Sequence, residues 1–237
     1  MHEPAAARSL STAMPGSEAE KRSAAQAAAA RVRDGELVGL GSGTTVAYLL
    51  PALAERRLAI RCVATSPATE HVARELGLDV VSFEELPRLD VAIDGADQIT
   101  AEGWLIKGGG AAHTREKIVA AAAERFIVIG ASDKLVPALS PPVPLELMRF
   151  GLDATLVALA PARLREVPVS PDGGLIADYL GPIDDPGTLA ERLSATPGLV
   201  EHGLFPPSMT SEMIIASGAE LTVLHGLRGR VAEGGGS

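Results

Sequence analysis

Residues 89–93 form a short apolar run broken only by Asp90, and the run ends abruptly in Asp94-Gly95-Ala96-Asp97. By length and composition it is a strand, with the two aspartates placed where that strand stops. After a short gap come Lys107-Gly108-Gly109-Gly110, then Thr114-Arg115-Glu116-Lys117 and an alanine-rich run over 118–123. Three consecutive glycines favour neither a helix nor a strand interior, but they let backbone N–H groups approach a small polar ligand closely. The alanine-rich run predicts a helix with Glu116 in its first turn and Thr114 as its N-cap. Strand, acidic turn, glycine loop and helix, in that order, are parts of an open α/β sheet, a fold that places its ligands at strand ends.

A second unit of the same kind lies upstream. An alanine-rich helix is expected over 18–33, stopped by Asp34-Gly35. A short strand over 36–40 then runs into Gly41-Ser42-Gly43-Thr44-Thr45, followed by an apolar helical run over 46–54. Free N–H groups and hydroxyls at a helix N-terminus make an anion site, and phosphate is the natural guest. A dinucleotide fits poorly. Val46 stands where the fingerprint wants glycine or alanine, and the next strand, over 60–64, ends without an acidic residue to hold a ribose. There is no Walker lysine either, because Thr44-Thr45 stands where Gly-Lys would be needed.

Composition narrows the partners. Aromatic residues are 3% of the 237 and the formal net charge is -9, so there is neither a stacking platform for bases nor an attraction to a phosphate backbone, and nucleic acid is excluded as a partner. The single cysteine, Cys62, rules out an internal disulfide, and the five histidines are too scattered for ligand spacing. No metal site is expected. No apolar run approaches the roughly 20 residues that span a bilayer, and no signal-peptide core is visible, so no membrane partner is expected and the cytoplasm is the expected compartment. Arginines outnumber lysines 17 to 4, yet Lys107 and Lys134 both fall beside glycine or aspartate motifs, where a compact ammonium has a use.

Further along, a helix over 67–76, a strand over 79–82 and a buried strand over 126–130 continue the first sheet. That last strand leads into Ala131-Ser132-Asp133-Lys134, which makes Lys134 a candidate phosphate ligand. Four prolines between 137 and 144 mark a change of direction. A strand over 145–150, a helix over 153–159, a hairpin turning at Pro171-Asp172-Gly173-Gly174 and a helix over 186–193 follow. Three short strands, over 200–205, 212–216 and 220–224, close the chain. The expected fold is α/β: a Rossmann-like open sheet over 18–140 and 212–230, a smaller α+β domain over 141–211, a disordered tail over 1–17 and a flexible one over 231–237.

These motifs together resemble the type A ribose-5-phosphate isomerases. The resemblance rests on Gly39-Leu40-Gly41-Ser42-Gly43-Thr44-Thr45, Asp94-Gly95-Ala96-Asp97, Lys107-Gly108-Gly109-Gly110-Ala111-Ala112, Thr114-Arg115-Glu116-Lys117-Ile118, Lys134, and the later run from Pro197 through Gly203-Leu204-Phe205. It covers about residues 20–225. Three positions depart from the pattern: the first loop more usually reads Gly-Thr-Gly-Ser-Thr, Gln98 stands where an acidic residue is common, and His113 replaces an apolar residue.

The resemblance implies an aldose–ketose isomerase that interconverts D-ribose 5-phosphate and D-ribulose 5-phosphate through an enediolate, in the non-oxidative pentose phosphate pathway. It implies Glu116 as the proton-shuttling base, Asp94 in ring opening, and Lys107 with the glycine N–H groups meeting the charge on oxygen. Asp97 would orient hydroxyls beside Gly95, Ala96, Gly108, Gly109 and Gly110, while Ser42, Gly43, Thr44, Thr45 and Lys134 would hold the phosphate. No cofactor is called for, and a homodimer or homotetramer is implied. The rival reading is a non-catalytic sugar-phosphate sensor, which would share the loop at 41–45 but have no use for Glu116. A coenzyme A transferase-like enzyme is a weaker third.

Overall fold

A computed structural model describes residues 17–225 of the chain. In order, its regular elements begin with α1 (Glu18–Ala29), β1 (Leu37–Leu40), α2 (Val46–Glu55), β2 (Arg61–Ala64), α3 (Pro67–Glu75), β3 (Asp79–Val80) and β4 (Leu89–Gly95). Then come β5 (Gln98–Ile99), β6 (Leu105–Ile106), α4 (His113–Ala122), β7 (Ala123–Ala131) and β8 (Val143–Leu147). The chain finishes with α5 (Leu152–Ala158), β9 (Ala162–Leu164), β10 (Leu175–Tyr179), α6 (Pro186–Ser194), β11 (Leu199–His202), β12 (Leu204–Phe205), β13 (Glu212–Ser217) and β14 (Glu220–His225). Among the described residues no helix is long and apolar enough to cross a membrane.

Seven strands form the main sheet in the order β14-β13-β7-β4-β1-β2-β3, all neighbours parallel except the β13–β14 hairpin. From β1 the chain builds outward to β2 and β3, then crosses back to place β4 on the other flank of β1. The carboxyl ends of β1 and β4 therefore meet at the point where the direction of growth reverses, which is where open α/β sheets form a crevice. Both loops singled out by sequence leave from these two strand ends.

Parallel strands need both faces covered, and they are. On one face α1 lays Ala24, Ala25, Ala28 and Ala29 against α2, whose Leu49, Leu50 and Leu53 pack on Val38, Leu40 and Ile93. Small side chains let the two helices approach, and each buried leucine contributes about 2 kcal/mol. Ser17 and Glu20 close a capping box at the start of α1. On the other face Val119 and Ala120 of α4 pack with Phe126, Phe205 and Met213.

The region after the prolines has its own four-stranded sheet, β11-β8-β10-β9, and its own core of Leu145, Leu147, Leu159, Ala177 and Leu193. β9 and β10 form the expected hairpin around Gly173. A third small sheet, β12-β6-β5, links the two parts.

Several boundaries differ from expectation. α1 ends at Ala29 rather than 33, where Ala30 takes the cap and the chain turns. The strand foreseen over 145–150 runs instead from Val143 to Leu147. The strand foreseen over 200–205 is two strands, because at Gly203 the chain leaves β8 and pairs with β6 instead. The tails expected over 1–17 and 231–237 lie outside the described residues, apart from Ser17.

Candidate active site

The β4 strand carries Asp94 as its penultimate residue, and β1 ends one residue before Gly41. The two ends are in direct contact: a Cβ on Gly41 would lie 2.0 Å from Asp94 Cγ, so only glycine fits here. Asp94 Oδ1 accepts N–H bonds from Ser42 (3.0 Å) and Gly95 (2.7 Å). Its other oxygen, Oδ2, lies 3.0 Å from Lys107 Nζ.

Lys107 follows β6 directly and its side chain turns inward. Nζ donates to the Gly95 carbonyl (2.5 Å) and stands 3.1 Å from Glu116 Oε2, with 3% of the lysine side chain exposed. Glu116 sits in the first turn of α4, a position favoured for a carboxylate by the helix dipole, and its Oε1 accepts the Ser42 hydroxyl at 2.6 Å. Apart from the Lys107 ammonium, Glu116 Oε2 meets no hydrogen-bond donor among the described residues.

One ammonium thus serves two carboxylates. Burial, together with the nearby charge of Glu116, pushes the Asp94 carboxyl up to about 7 despite the pull of Lys107. For Lys107 burial works against the charge, but Asp94 and Glu116 more than offset it and hold the ammonium above its ordinary value. Near neutrality Asp94 can therefore both give and take a proton while Lys107 stays charged. The Phe205 ring faces Lys107 Nζ at 5.6 Å and Lys117 Nζ at 4.9 Å from its centroid, one aromatic wall against two cations.

The glycine loop closes the site. Gly108 has φ +104° and packs against His113, which is fully buried. Gly109 N–H donates to Asp97 Oδ2 at 2.7 Å, while Gly110 is exposed. Gly95 and Ala96 lie between the aspartates, half-buried. In the first loop Gly43 and Thr44 are exposed and Thr45 is buried at the start of α2. Among the described residues the N–H groups of Gly43, Thr44 and Thr45 meet no acceptor within the chain.

The structure thus gathers Ser42, Asp94, Asp97, Lys107, Gly109 and Glu116. Lys134 follows β7, its Nζ is 3.5 Å from Asp133 Oδ2, and among the described residues no hydrogen bond joins it to the loop at 41–45. Two residues make contacts that the sequence did not foresee. Ser42 gives its N–H to Asp94 Oδ1 and its hydroxyl to Glu116 Oε1. Thr114 is not the N-cap of α4, which starts at His113 after Ala112; its hydroxyl donates instead to the buried Glu146.

Gln98 is turned away, its amide paired with Ser140. Phe205 was visible in the sequence only as part of a motif, and its place beside Lys107 depends on the β12–β6 pairing. A cavity of about 790 Å³ opens on the Thr114, Arg115 and Ile118 face of α4 and includes none of Asp94, Lys107 or Glu116. Among the described residues no group of three or more His, Cys, Asp or Glu is placed to hold a metal ion.

Comparison with known proteins points the same way. The family model described as Ribose 5-phosphate isomerase A (phosphoriboisomerase A) matches residues 61–220. The Ribose-5-phosphate isomerase A of Natronomonas pharaonis is 46% identical over 207 residues, covering 80% of this chain and 90% of the relative. That of Bradyrhizobium diazoefficiens is 41% identical over 229 residues, covering 86% and 95%. Among solved structures, ribose 5-phosphate isomerase A from Methanocaldococcus jannaschii superposes with a TM-score of 0.83 at 30% identity, covering 88% of this chain and 99% of that one. A D-ribose-5-phosphate isomerase in complex with phospho-erythronic acid gives 0.84 at 32% identity, covering 90% and 100%.

Proposed function

This chain belongs to the ribose 5-phosphate isomerase A family, and from that premise we infer how its residues interconvert D-ribose 5-phosphate and D-ribulose 5-phosphate. It is an aldose–ketose isomerase. The reaction opens the sugar ring, takes a proton from carbon 2, passes through an enediolate and returns the proton to carbon 1.

The observation that carries the reading is the Lys107 ammonium held within 3.1 Å of both a carboxylate of β4 and one of α4. Glu116 Oε2 takes the proton from carbon 2 and delivers it to carbon 1, a general-base role that contributes about 10²–10⁴-fold. Ser42 holds the other oxygen of Glu116 and so fixes the direction of attack. As the proton leaves, negative charge grows on the sugar oxygens. Lys107 meets it from a dry site where a preorganised donor is worth roughly 3 kcal/mol. Asp94, poised near neutrality, exchanges a proton with the ring oxygen in the opening step.

The loop N–H groups of Gly43, Thr44 and Thr45, with Lys134, anchor the phosphate so that carbons 1 and 2 lie at Glu116. Asp97 and the glycines at 108–110 orient the hydroxyls. In this reading residues 18–140 and 212–225 make up the catalytic unit and 141–211 the smaller one, the expected stretch over 226–230 lying outside the described residues. The protein works in the cytoplasm as a homodimer or homotetramer without a cofactor.

The test is a direct assay of ribose 5-phosphate turnover with and without a chelator. Equal turnover in both is expected. Binding of the sugar phosphate without turnover would instead mark a sensor.

A further inference from the structure

Arg165 lies just beyond β9, in the smaller part of the molecule, and reaches the glycine loop of the active site. Its Nε and Nη2 clamp Asp178 of β10 at 2.7 and 2.5 Å. The remaining nitrogen, Nη1, donates to the carbonyls of Gly108 (3.0 Å) and Gly109 (3.2 Å). The ion pair is mostly buried, with 16% and 19% of the side chains exposed.

A trans peptide points its C=O and its N–H in opposite directions. Drawing the Gly108 carbonyl toward Arg165 therefore turns the Gly109 N–H the other way, and that N–H is the one 2.7 Å from Asp97 Oδ2. The Gly109 carbonyl, held by the same nitrogen, turns the Gly110 N–H away from Arg165 as well. A glycine loop has no side chains of its own to fix these orientations. Only a planar guanidinium can grip a carboxylate with two nitrogens and still present a third to two carbonyls.

We propose that Arg165, braced by Asp178, is a positioning residue for the isomerase reaction: it sets the peptide planes of the loop at 108–110 and thereby the place of Asp97. The proposal rests on the reading of Asp94, Lys107 and Glu116 as the reacting site. It makes the smaller part of the molecule a component of the active site, although none of its side chains need touch substrate.

The test is a double-mutant cycle on kcat/KM with Arg165→Lys and Asp97→Asn. Arg165→Lys keeps the charge beside Asp178 but loses the fork. A loss of about tenfold is expected in the native background, the scale of one hydrogen bond, and under about twofold once Asp97 is replaced. A partly unfolded population would lower both backgrounds by the same factor, and equal factors, or no loss at all, would overturn the proposal. The Gly109 amide proton, shifted downfield by its carboxylate acceptor, should also move upfield in Arg165→Lys, and an unmoved resonance counts against it. Asp178→Asn in the same cycle decides the matter if Arg165→Lys does not fold. Glu116→Gln separates the two levels: an active Glu116→Gln enzyme removes the site and this proposal together, whereas an inactive one with equal factors removes Arg165 alone.

Discussion

Lys107 Nζ lies 3.1 Å from Glu116 Oε2, and only 3% and 5% of the two side chains are exposed. Such a pair is held by its surroundings rather than by its own attraction, because taking two charges out of water costs several kcal/mol per ion. Here Asp94, the Gly95 carbonyl and the Ser42 hydroxyl complete the shell. Removing the ammonium leaves two buried carboxylates facing each other, so Lys107→Met should lose both a donor for the enediolate oxygen and the balance of charge. Turnover is expected to fall about 10²–10³-fold, the scale for a single oxyanion donor, as a steady-state assay would show.

Asp94 gives the site a pH signature. Its carboxyl is raised from 3.8 to about 7, first by burial and then by Glu116. A raised acid means that the folded state keeps a proton which the unfolded state releases. Its contribution to stability is therefore fully present below about pH 4 and is lost as the pH climbs through 7. Asp94→Asn stays neutral throughout, so its melting temperature should gain on the native protein between pH 4 and 7 and hold that difference above. A difference independent of pH would contradict the assignment.

Ser42 and Lys134 separate by kinetics. The Ser42 hydroxyl is bonded to Glu116 Oε1, so Ser42→Ala should lower kcat by about tenfold, the value of one charge-assisted hydrogen bond, with KM little changed. Lys134→Ala should do the reverse, raising KM for the sugar phosphate and sparing kcat. A KM effect in Ser42→Ala would return that side chain to the phosphate.

Gly41 tests the contact between the two strand ends. Because an added Cβ would meet Asp94 Cγ at 2.0 Å, Gly41→Ala must push the β4 carboxylate aside. Overpacking of this kind destabilises by about 1–3 kcal/mol. Thermal unfolding should show the loss, with activity falling further than stability.

Much of this was readable from residues alone, and the reason is local. The β1 and β4 strands are apolar runs ended by glycine or aspartate, α2 begins at Val46 as the sequence says it should, and α4 begins two residues ahead of the expected start. Strand end, loop and helix start are settled by neighbours in the chain, so Asp94, Lys107 and Glu116 could be named as a group. The misses are contacts between distant residues. Thr114 reaches a carboxylate 32 residues away, so propensity assigned it the nearer task of an N-cap, and the Ser42 hydroxyl reaches one 74 residues away, a contact with no local signal. The break at Gly203 follows from a choice between β8 and β6 as partner. Arg165 carried no motif at all; its role depends on Asp178 across a hairpin and on a loop 56 residues earlier.

Glu116→Gln puts the whole account to the proof. Glutamine keeps the shape of the side chain but cannot accept a proton at carbon 2. Its rate of interconversion of ribose 5-phosphate and ribulose 5-phosphate should be measured beside its calorimetric affinity for phospho-erythronic acid, the molecule bound in a related isomerase. The account predicts a rate at least about 10²-fold lower with affinity nearly unchanged. Turnover close to that of the native enzyme would contradict it.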